Sequence, residues 1–412
     1  MPLYGLLGRK LGHSWSEVIH KELGCSEYKL IELEPEELAN FFSNNDIGAV
    51  NVTIPYKKDV MAFCDFIDDS ARMIGSVNTI VKKADGKLYG YNTDIVGFQY
   101  MASSAKIELK NKKVLVLGSG GSSLTACSAA EAQGARSVVV ISRTGENNYS
   151  NLHLHADAEV IVNTTPVGMF PRNGEAPLDL TQFQNLTGVI DIVYNPRRTA
   201  LLIQAEKLNI PCTDGLPMLV SQAVKAEEHF FEMMISSSET ERIISKLRTN
   251  QTNIVLIGMP GSGKSTIGNI LSQRFNREAL DIDSLIEERE GTSIPDIFSK
   301  KGEAYFRELE REEIEKAGKL SGKIIITGGG AVKDERNYAP LHQNGTIYQL
   351  FRPLEDLPVS GRPISQSTPI ETLYAQREPL YARFRDKLIN NTSKPEDTAE
   401  EIWRDFCEHS CY

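Results

Sequence analysis

Apolar positions in this chain fall into short solid runs divided by amphipathic stretches, the pattern of buried strands alternating with half-buried helices. Two runs, KKVLVLGSGGSS from Lys112 and NIVLIGMPGSGKST from Asn253, differ from the rest because each passes straight into a glycine-rich turn. GAVNVTIPYKK and IGSVNTIVKK read as strands that end in loops, EPEELANFFSNN as an amphipathic helix, and KIIITGGG and TIYQLF as further buried strands. The alternation predicts an α/β layer fold on both sides of a polar junction, SSSETERIISKLRTNQ at 236–251, with the boundary near residue 245. No short-period repeat or low-complexity tract interrupts it.

At 412 residues the chain exceeds what one ordinary core organises, so two or three domains are expected. Hydrophobic residues at 41 % and charged residues at 24 % are those of folded globular domains and exclude a fibre or a largely disordered chain. A net charge of −10 argues against general attraction to nucleic acid or to an anionic membrane, so an anionic ligand has to be met by a local basic site. No apolar run approaches the roughly 20 residues of a membrane span. The opening MPLYGLLGRKLGHS lacks a signal-peptide layout, which makes a cytoplasmic location the expectation. Six cysteines, Cys25, Cys64, Cys127, Cys212, Cys407 and Cys411, are too sparse for a disulfide scaffold. Most are expected to be reduced and buried, with Cys407, His409 and Cys411 spare groups on a polar tail rather than a metal site. Nothing in the sequence sets an oligomeric state.

Gly258 to Ser265, GMPGSGKS, match GxxxxGK[ST] in full and follow a buried-strand run, the context of a phosphate loop. Backbone N–H groups of Gly258, Gly261, Ser262, Gly263 and Thr266 and the following helix N-terminus would hold phosphate oxygens. Lys264 would neutralise the outer phosphates, and the Ser265 hydroxyl would sit on Mg²⁺. A phosphate loop announces ATP but not the acceptor. ALDIDSLIEE next supplies Asp281 and Asp283, two carboxylates that a period of two would set on one side of a strand end, one to hold a metal-bound water and one to take an acceptor hydroxyl. Alone, such a pair is as well explained by a solvated turn.

LIGMPGSGKSTIG, LDIDSLIEEREGTSIPDIFSKKGEAYFRELE, TGGGAV, GRPI and REPLYARF, in that order, resemble shikimate kinase over about residues 252–405. The resemblance implies Mg²⁺ at Ser265 and Asp281, the acceptor-hydroxyl contact at Asp283, and the substrate carboxylate at Arg307 and Arg377. It also implies substrate contacts at Gly328, Gly329 and Gly330, a lid arginine at Arg362, and an apolar wall of Phe298 and Phe306. Guanidinium forks suit a carboxylate, and Glu310, one helical step beyond Arg307, is placed to orient it. The segment FRPLEDLPVS before GRPI is shorter than usual for the family, and its Arg352 is a candidate replacement contact.

In the first part GSGGSS fits GxGxx[small] between a strand and a helix, a dinucleotide diphosphate site with Gly118, Gly120 and Gly121. After the next strand Ser142, Arg143 and Thr144 stand where a carboxylate would grip a free ribose hydroxyl, which favours NADP over NAD. Upstream, GHSWS, NVTIPYK, SVNT and YNTDIVG place small polar groups, one lysine and one aspartate at loop ends. With NTTPVGM, DIVYNP and GLPMLVSQA, they resemble shikimate dehydrogenase over about residues 3–235. That implies Lys57 and Asp94 as the catalytic pair, Ser14, Ser16, Thr53, Asn78, Tyr194 and Gln222 on the substrate, and Gly215 beside the nicotinamide. Read singly, Lys57 in YKK is a solvated lysine; the constellation reverses that, while Lys58 stays at the surface. Leu124 stands where the family often carries a basic residue, and no second basic residue follows Arg143.

Together the resemblances imply an α/β chain: a two-lobed dehydrogenase with a Rossmann-type NADP lobe, then a P-loop domain of the nucleoside-monophosphate-kinase type. The expected layout is a substrate lobe at 1–95 completed by 216–238, an NADP lobe at 96–215, a linker at 239–251 and a kinase domain at 252–412. The implied reactions are consecutive: NADPH reduction of 3-dehydroshikimate to shikimate, then MgATP phosphorylation of shikimate. A shikimate-sensing protein without turnover is the alternative from another class, disfavoured by retained Lys57, Asp94, Lys264 and Asp283. A quinate dehydrogenase half, or a kinase for another hydroxy acid or nucleotide, is disfavoured by the Ser14 and Ser16 pair with Arg307 and Arg377.

Overall fold

A computed structural model describes residues 2–12, 14–357 and 369–409. The chain divides into two compact units, 1–167 with 177–194 and 204–244, and 168–176 with 195–203 and 245–412.

The first unit holds two sheets. In one, β1 (Leu3–Gly8), β2 (Lys29–Glu32), β3 (Ile47–Val52), β4 (Phe66–Ile67), β5 (Thr79–Lys82) and β6 (Leu88–Tyr91) run in the order β2-β1-β3-β5-β6-β4. β1 is parallel to β2 and β3, whereas β5 runs antiparallel to both β3 and β6. Asn78, just before β5, therefore lies at the same edge as Thr53, just after β3, and as Asp94 beyond β6. The other sheet is wholly parallel: β7 (Lys113–Leu117), β8 (Ser137–Ile141), β9 (Val160–Asn163), β10 (Gly188–Asp191) and β11 (Cys212–Thr213), ordered β11-β10-β9-β7-β8. β7, β9 and β10 are almost completely buried, which is why their sequences are solid apolar runs rather than alternations.

The second unit has one parallel sheet of β12 (Asn253–Ile257), β13 (Ala279–Asp281), β14 (Ile324–Ile326), β15 (Gly345–Phe351) and β16 (Lys387–Asn390), ordered β13-β14-β12-β15-β16. Alternate residues of β12 enter separate cores. Val255 and Ile257 pack with Phe306 and Leu309 of the Ile294–Lys319 helix, whereas Ile254 and Leu256 pack with Ile267, Leu271 and Phe406. That division follows from the period of two along a strand covered on both faces.

The polar junction is helical throughout, Ser237–Gln251, because Ile243, Ile244 and Leu247 form one buried stripe and Arg242 pairs with Glu239 at 2.7 Å. Two expectations need correction. Asp281 and Asp283 do not share a strand: Asp281 ends β13 and caps the Ile282–Glu290 helix, and Asp283 lies in that helix's first turn. Of the described cysteines only Cys25 is buried; Cys64, Cys127, Cys212 and Cys407 are half-buried, and Cys411 lies outside the described residues. Among the described residues no group of three potential ligands could hold a metal ion, and no helix is long and apolar enough to cross a membrane.

The helices Asp94–Ser104 and Leu216–Phe231 approach closely at Gly97, where a Cβ would lie 2.8 Å from the Met218 carbonyl oxygen and 3.0 Å from the Gln222 Cβ. Only glycine permits that spacing. Gly97→Val is expected to destabilise the first unit by about 1–3 kcal/mol through overpacking. Val96→Ala, at a partly exposed neighbour, should change stability by less than about 0.5 kcal/mol. Denaturant melts of the two variants check this, and equal midpoints would refute the close-approach argument.

Candidate active sites

In the first unit a cavity of about 400 Å³ opens at the shared strand edge. Ser14, Ser16, Thr53, Lys57, Asn78, Asp94, Tyr194, Gly215 and Gln222 all line it, so the substrate and proton-transfer residues expected from the sequence are brought together. Lys57 Nζ donates to Asp94 Oδ2 at 2.6 Å, with the side chains 23 % and 13 % exposed. The pair is half-buried on a fixed frame: the Lys57 carbonyl accepts from the Val77 N–H at 2.8 Å, and the Asp94 N–H donates to Asn92 Oδ1 at 3.1 Å. The Thr53 N–H donates to the Leu7 carbonyl at 2.9 Å, and the Ser16 N–H to Ser14 Oγ at 3.2 Å. Burial raises the Tyr194 phenol above its ordinary value, so it stays a hydroxyl. Lys58 is exposed.

Asn51 was not anticipated, although the signal was present: it stands near the end of β3, two positions before Thr53, and lines the same cavity. Lys10 and Ser122 also line this cavity. Gly215 has a packing reason to be glycine, because a Cβ there would collide with the Ile192 carbonyl.

Gly118, Gly120, Gly121, Ser142, Arg143 and Thr144 do not line that cavity; they sit beyond the ends of β7 and β8. Gly118 has φ +110°, and a Cβ there would meet Thr164 Oγ1 at 2.8 Å. At Gly120 and Gly121 a Cβ would meet nothing within 4 Å, leaving open space over the first turn of the Gly121–Ala132 helix. That opening fits a diphosphate group. Arg143 and Thr144 are exposed and Ser142 half-buried, in a short loop where the Ser142 N–H donates to the Asn147 carbonyl at 3.1 Å. Leu124 is exposed.

In the second unit a cavity of about 570 Å³ is lined by Gly261, Gly263, Lys264, Ser265 and Thr266 of the glycine turn, by Asp281 and Asp283, and by Arg307, Gly328, Gly329, Gly330 and Arg377. Gly258 and Ser262 lie beneath that lining. A Cβ at Gly258, whose φ is +144°, would meet the Leu350 carbonyl oxygen at 2.6 Å, and Ser262 is buried. Lys264 Nζ donates to the Gly258 and Met259 carbonyls at 2.8 and 3.1 Å, so its charge is held across the loop. Asn391, unforeseen in the sequence, clamps the same loop: its Nδ2 donates to the Ser262 carbonyl at 2.7 Å and Thr398 Oγ1 donates to its Oδ1 at 3.0 Å. Ser265 Oγ lies 2.9 Å from Asp281 Oδ2, a hydroxyl and carboxylate pair of the donor chemistry Mg²⁺ takes.

Asp283 is largely buried, and its Oδ1 has no hydrogen-bond partner. Burial, then the Asp281 charge, raises its carboxyl above the ordinary range against the opposing pull of Lys264 and Arg307. Arg307 Nη1 donates to Glu310 Oε2 at 2.6 Å, and Glu310 is 1 % exposed, so this is no surface ion pair. Burial disfavours charge on Arg307, but Glu310 and Glu303 more than offset it and hold the guanidinium above its ordinary value. The glycine loop is glycine because it threads between these groups. At Gly328 a Cβ would lie 2.7 Å from Glu310 Oε1 and 2.8 Å from Asp283 Oδ1, and at Gly330 it would strike the Arg307 guanidinium. The Gly329 carbonyl accepts from both Arg377 Nη1 at 3.0 Å and Tyr381 Oη at 2.6 Å. Phe298 and Phe306 pack with tilted rings, centroids 4.8 Å apart, and line the cavity, as do Arg352 and the unanticipated Glu287 and Thr327. Arg362 lies outside the described residues.

Comparison with known proteins gives a match in each unit. A family model described as the shikimate dehydrogenase substrate binding domain matches residues 6–80, and one described as shikimate kinase matches residues 260–407. The shikimate dehydrogenase (NADP(+)) of Clostridium beijerinckii is 37 % identical over 264 residues, covering 60 % of this chain and 97 % of that protein. The Aquifex aeolicus protein of the same name is 35 % identical, with the same coverage of 60 % and 97 %. Among solved structures, a chorismate mutase/shikimate 5-dehydrogenase fusion protein from Clostridium acetobutylicum is similar at 35 % identity and TM-score 0.57, over 60 % of this chain and 97 % of that one. Shikimate 5-dehydrogenase from Thermus thermophilus, in complex with NADP(H) and shikimate, is similar at 28 % identity and TM-score 0.54, over 60 % of this chain and 99 % of that one. A lysine and aspartate held together in a polar cleft, on a scaffold shared along nearly the whole length of these relatives, make this chain a member of the shikimate dehydrogenase family that carries a shikimate kinase domain after it.

Proposed function

We propose that the chain is a bifunctional enzyme in which the first unit reduces 3-dehydroshikimate to shikimate with NADPH and the second phosphorylates shikimate with MgATP. The observation that carries this is that each unit gathers a full set of reacting groups around its own cavity: Lys57 with Asp94 in one, and Lys264, Ser265, Asp281 and Asp283 facing Arg307 and Arg377 in the other. Bound NADPH supplies a hydride, and bound MgATP supplies the phosphoryl group.

The protein's part in the reduction is a proton and a positive charge at the carbonyl oxygen that becomes a hydroxyl. Lys57 Nζ, 2.6 Å from Asp94 Oδ2, provides both, giving up one proton as the new oxygen–hydrogen bond forms and accepting it back in the reverse direction. Gly118, Gly120 and Gly121 would hold the cofactor diphosphate, and Ser142, Arg143 and Thr144 its ribose phosphate, consistent with the NADP named for the relatives. In the phosphorylation Asp283 Oδ1 receives the proton of the acceptor hydroxyl, while Arg307 and Arg377 hold the acid's carboxylate. Gly258, Gly261, Ser262, Gly263, Lys264 and Thr266 would hold ATP, and Ser265 and Asp281 the Mg²⁺. Glu310 keeps the Arg307 fork in place.

Lys57→Ala is expected to reduce NADP-linked shikimate oxidation by about 100-fold or more while ATP consumption with shikimate stays at the wild-type rate. Spectrophotometric NADPH and coupled ADP assays on one preparation test this; simultaneous loss of both activities would contradict separate sites. Asp283→Asn should do the opposite, and normal phosphorylation in that variant would remove the proton-accepting role. Asn391→Ala withdraws the side chain that holds the Ser262 carbonyl, so the KM for ATP should rise about three- to tenfold with the dehydrogenase unchanged. An unaltered ATP saturation curve would show the loop to be held without it.

A further inference from the structure

Beneath the first cavity the buried polar side chains form one continuous line. Tyr28 Oη lies 2.8 Å from Asn51 Oδ1, and Asn51 Nδ2 lies 3.2 Å from Thr79 Oγ1. Thr79 Oγ1 lies 3.0 Å from Asn78 Oδ1, and Asn78 Nδ2 lies 3.1 Å from Thr93 Oγ1. Thr93 Oγ1 reaches Gln222 Oε1 at 3.5 Å, and Gln222 Nε2 ends the line on the Leu219 carbonyl at 2.8 Å. Asn51, Asn78 and Gln222 line the cavity, but Tyr28, Thr79 and Thr93 do not.

The direction of the line follows from one group that can only donate. The Thr93 backbone N–H gives its proton to Asn78 Oδ1 at 2.8 Å, which fixes the Asn78 amide with its oxygen inward. Thr79 also faces that oxygen, so its hydroxyl donates there and its lone pairs accept from Asn51. Asn51 then presents its oxygen to Tyr28, whose hydroxyl must donate. Among the described residues nothing else donates a hydrogen bond to that buried oxygen. The Tyr28 ring is itself fixed, stacked on His20 at 4.0 Å between centroids, and His20 Nδ1 lies 2.6 Å from Glu227 Oε1. Burial first, then the Glu227 and Cys25 charges, raises the Tyr28 phenol well above its ordinary value, so it remains a donor.

We infer that Thr79 and Tyr28 are positioning residues: Thr79 passes the direction fixed at Asn78 on to Asn51, and Tyr28 holds the Asn51 oxygen, so that Asn51 and Asn78 each keep a remaining N–H for the oxygens of a polyhydroxy acid. The inference rests on the proposed dehydrogenase function. It touches neither the Lys57 and Asp94 pair nor the glycine turn, so substrate binding is affected apart from proton transfer and cofactor binding.

The test uses the full chain with Tyr28→Phe, Thr79→Val and Thr79→Ser, assayed with shikimate and NADP. Tyr28→Phe and Thr79→Val are expected to raise the KM for shikimate about fivefold to twentyfold, with kcat and the KM for NADP within about twofold. Thr79→Ser keeps the hydroxyl and should restore the wild-type KM. An unchanged KM in Tyr28→Phe and Thr79→Val, or a Thr79→Ser protein as impaired as Thr79→Val, overturns the inference. Should Tyr28→Phe fail to fold, the two Thr79 variants decide. Absent shikimate turnover in the wild type would instead refute the proposed function. The Asn51 side-chain amide resonances then decide, supporting the inference if they move in Tyr28→Phe and Thr79→Val but not in Thr79→Ser and overturning it otherwise.

Discussion

The direction of the strands is the constraint on which both sites depend. In a parallel sheet every carboxyl end faces the same way, so the loops that follow must gather along one edge. The first unit places Thr53 and Lys57 after β3, Asp94 after β6, Gly118 after β7, Ser142 after β8, Tyr194 after β10 and Gly215 after β11. The second places the phosphate loop after β12, Asp281 at the end of β13, Gly328 after β14, Arg352 after β15 and Asn391 after β16. The antiparallel β5 confirms the rule by its exception, because Asn78 reaches the same edge from the strand's beginning. Residues far apart in sequence become neighbours without any long loop to carry them.

Glycine makes the second requirement possible, that backbone and charged groups approach more closely than a side chain allows. At Gly97 two helices meet, at Gly215 a helix start presses on a carbonyl, and at Gly328 and Gly330 a loop passes between two carboxylates and a guanidinium. The cost of that crowding is visible as buried oxygens on Asp283 and Glu310 that lack partners. Such groups are costly to leave unsatisfied, by about 1–3 kcal/mol each. They persist where a fold keeps a place for an incoming donor, and both oxygens point to the same spot beside Gly328.

How much of this is legible in the sequence depends on whether backbone or side chain carries the information. The two glycine turns can be read directly, since positive φ at Gly118, Gly258, Gly261 and Gly263 leaves a pattern in residue type. Lys57 and Asp94 are readable only as part of a constellation, since their 2.6 Å approach joins residues 37 positions apart. Asn391 and Tyr28 leave no local signature at all: each acts by a hydrogen bond across the fold, and an asparagine in a loop or a tyrosine before a strand has many ordinary explanations. The full length of the Ser237–Gln251 helix is hard to read for another reason. Its polar residues outnumber its apolar ones, so only the spacing of Ile243, Ile244 and Leu247 betrays it. Asp281 and Asp283 show the opposite error, where a correct pairing was assigned to the wrong element.

On the proposed function the two cavities recognise the same acid with different electrostatics, and the chemistry explains the difference. On that function the first accepts a molecule whose ring oxygen changes between carbonyl and hydroxyl, and its polar lining is mainly neutral amides and hydroxyls that could donate to either form, with Lys10 and the Lys57 and Asp94 pair, where the proton would move, as its charged groups. The second would bring an anionic acid up to an anionic nucleotide. Besides the Mg²⁺ that Ser265 and Asp281 would hold, repulsion between them would be offset by fixed positive charge, which Arg307, Arg377 and Lys264 supply in a chain whose net charge is −10. Those cations stay in place because each is tied down: Arg307 to buried Glu310, Arg377 to the Gly329 carbonyl, and Lys264 to the carbonyls of its own loop. Removing Glu310 would leave the Arg307 fork to exposed Glu303 alone and loosen its geometry before it lost its charge, so on the proposed function the anchoring carboxylate matters as much to recognition as the guanidinium.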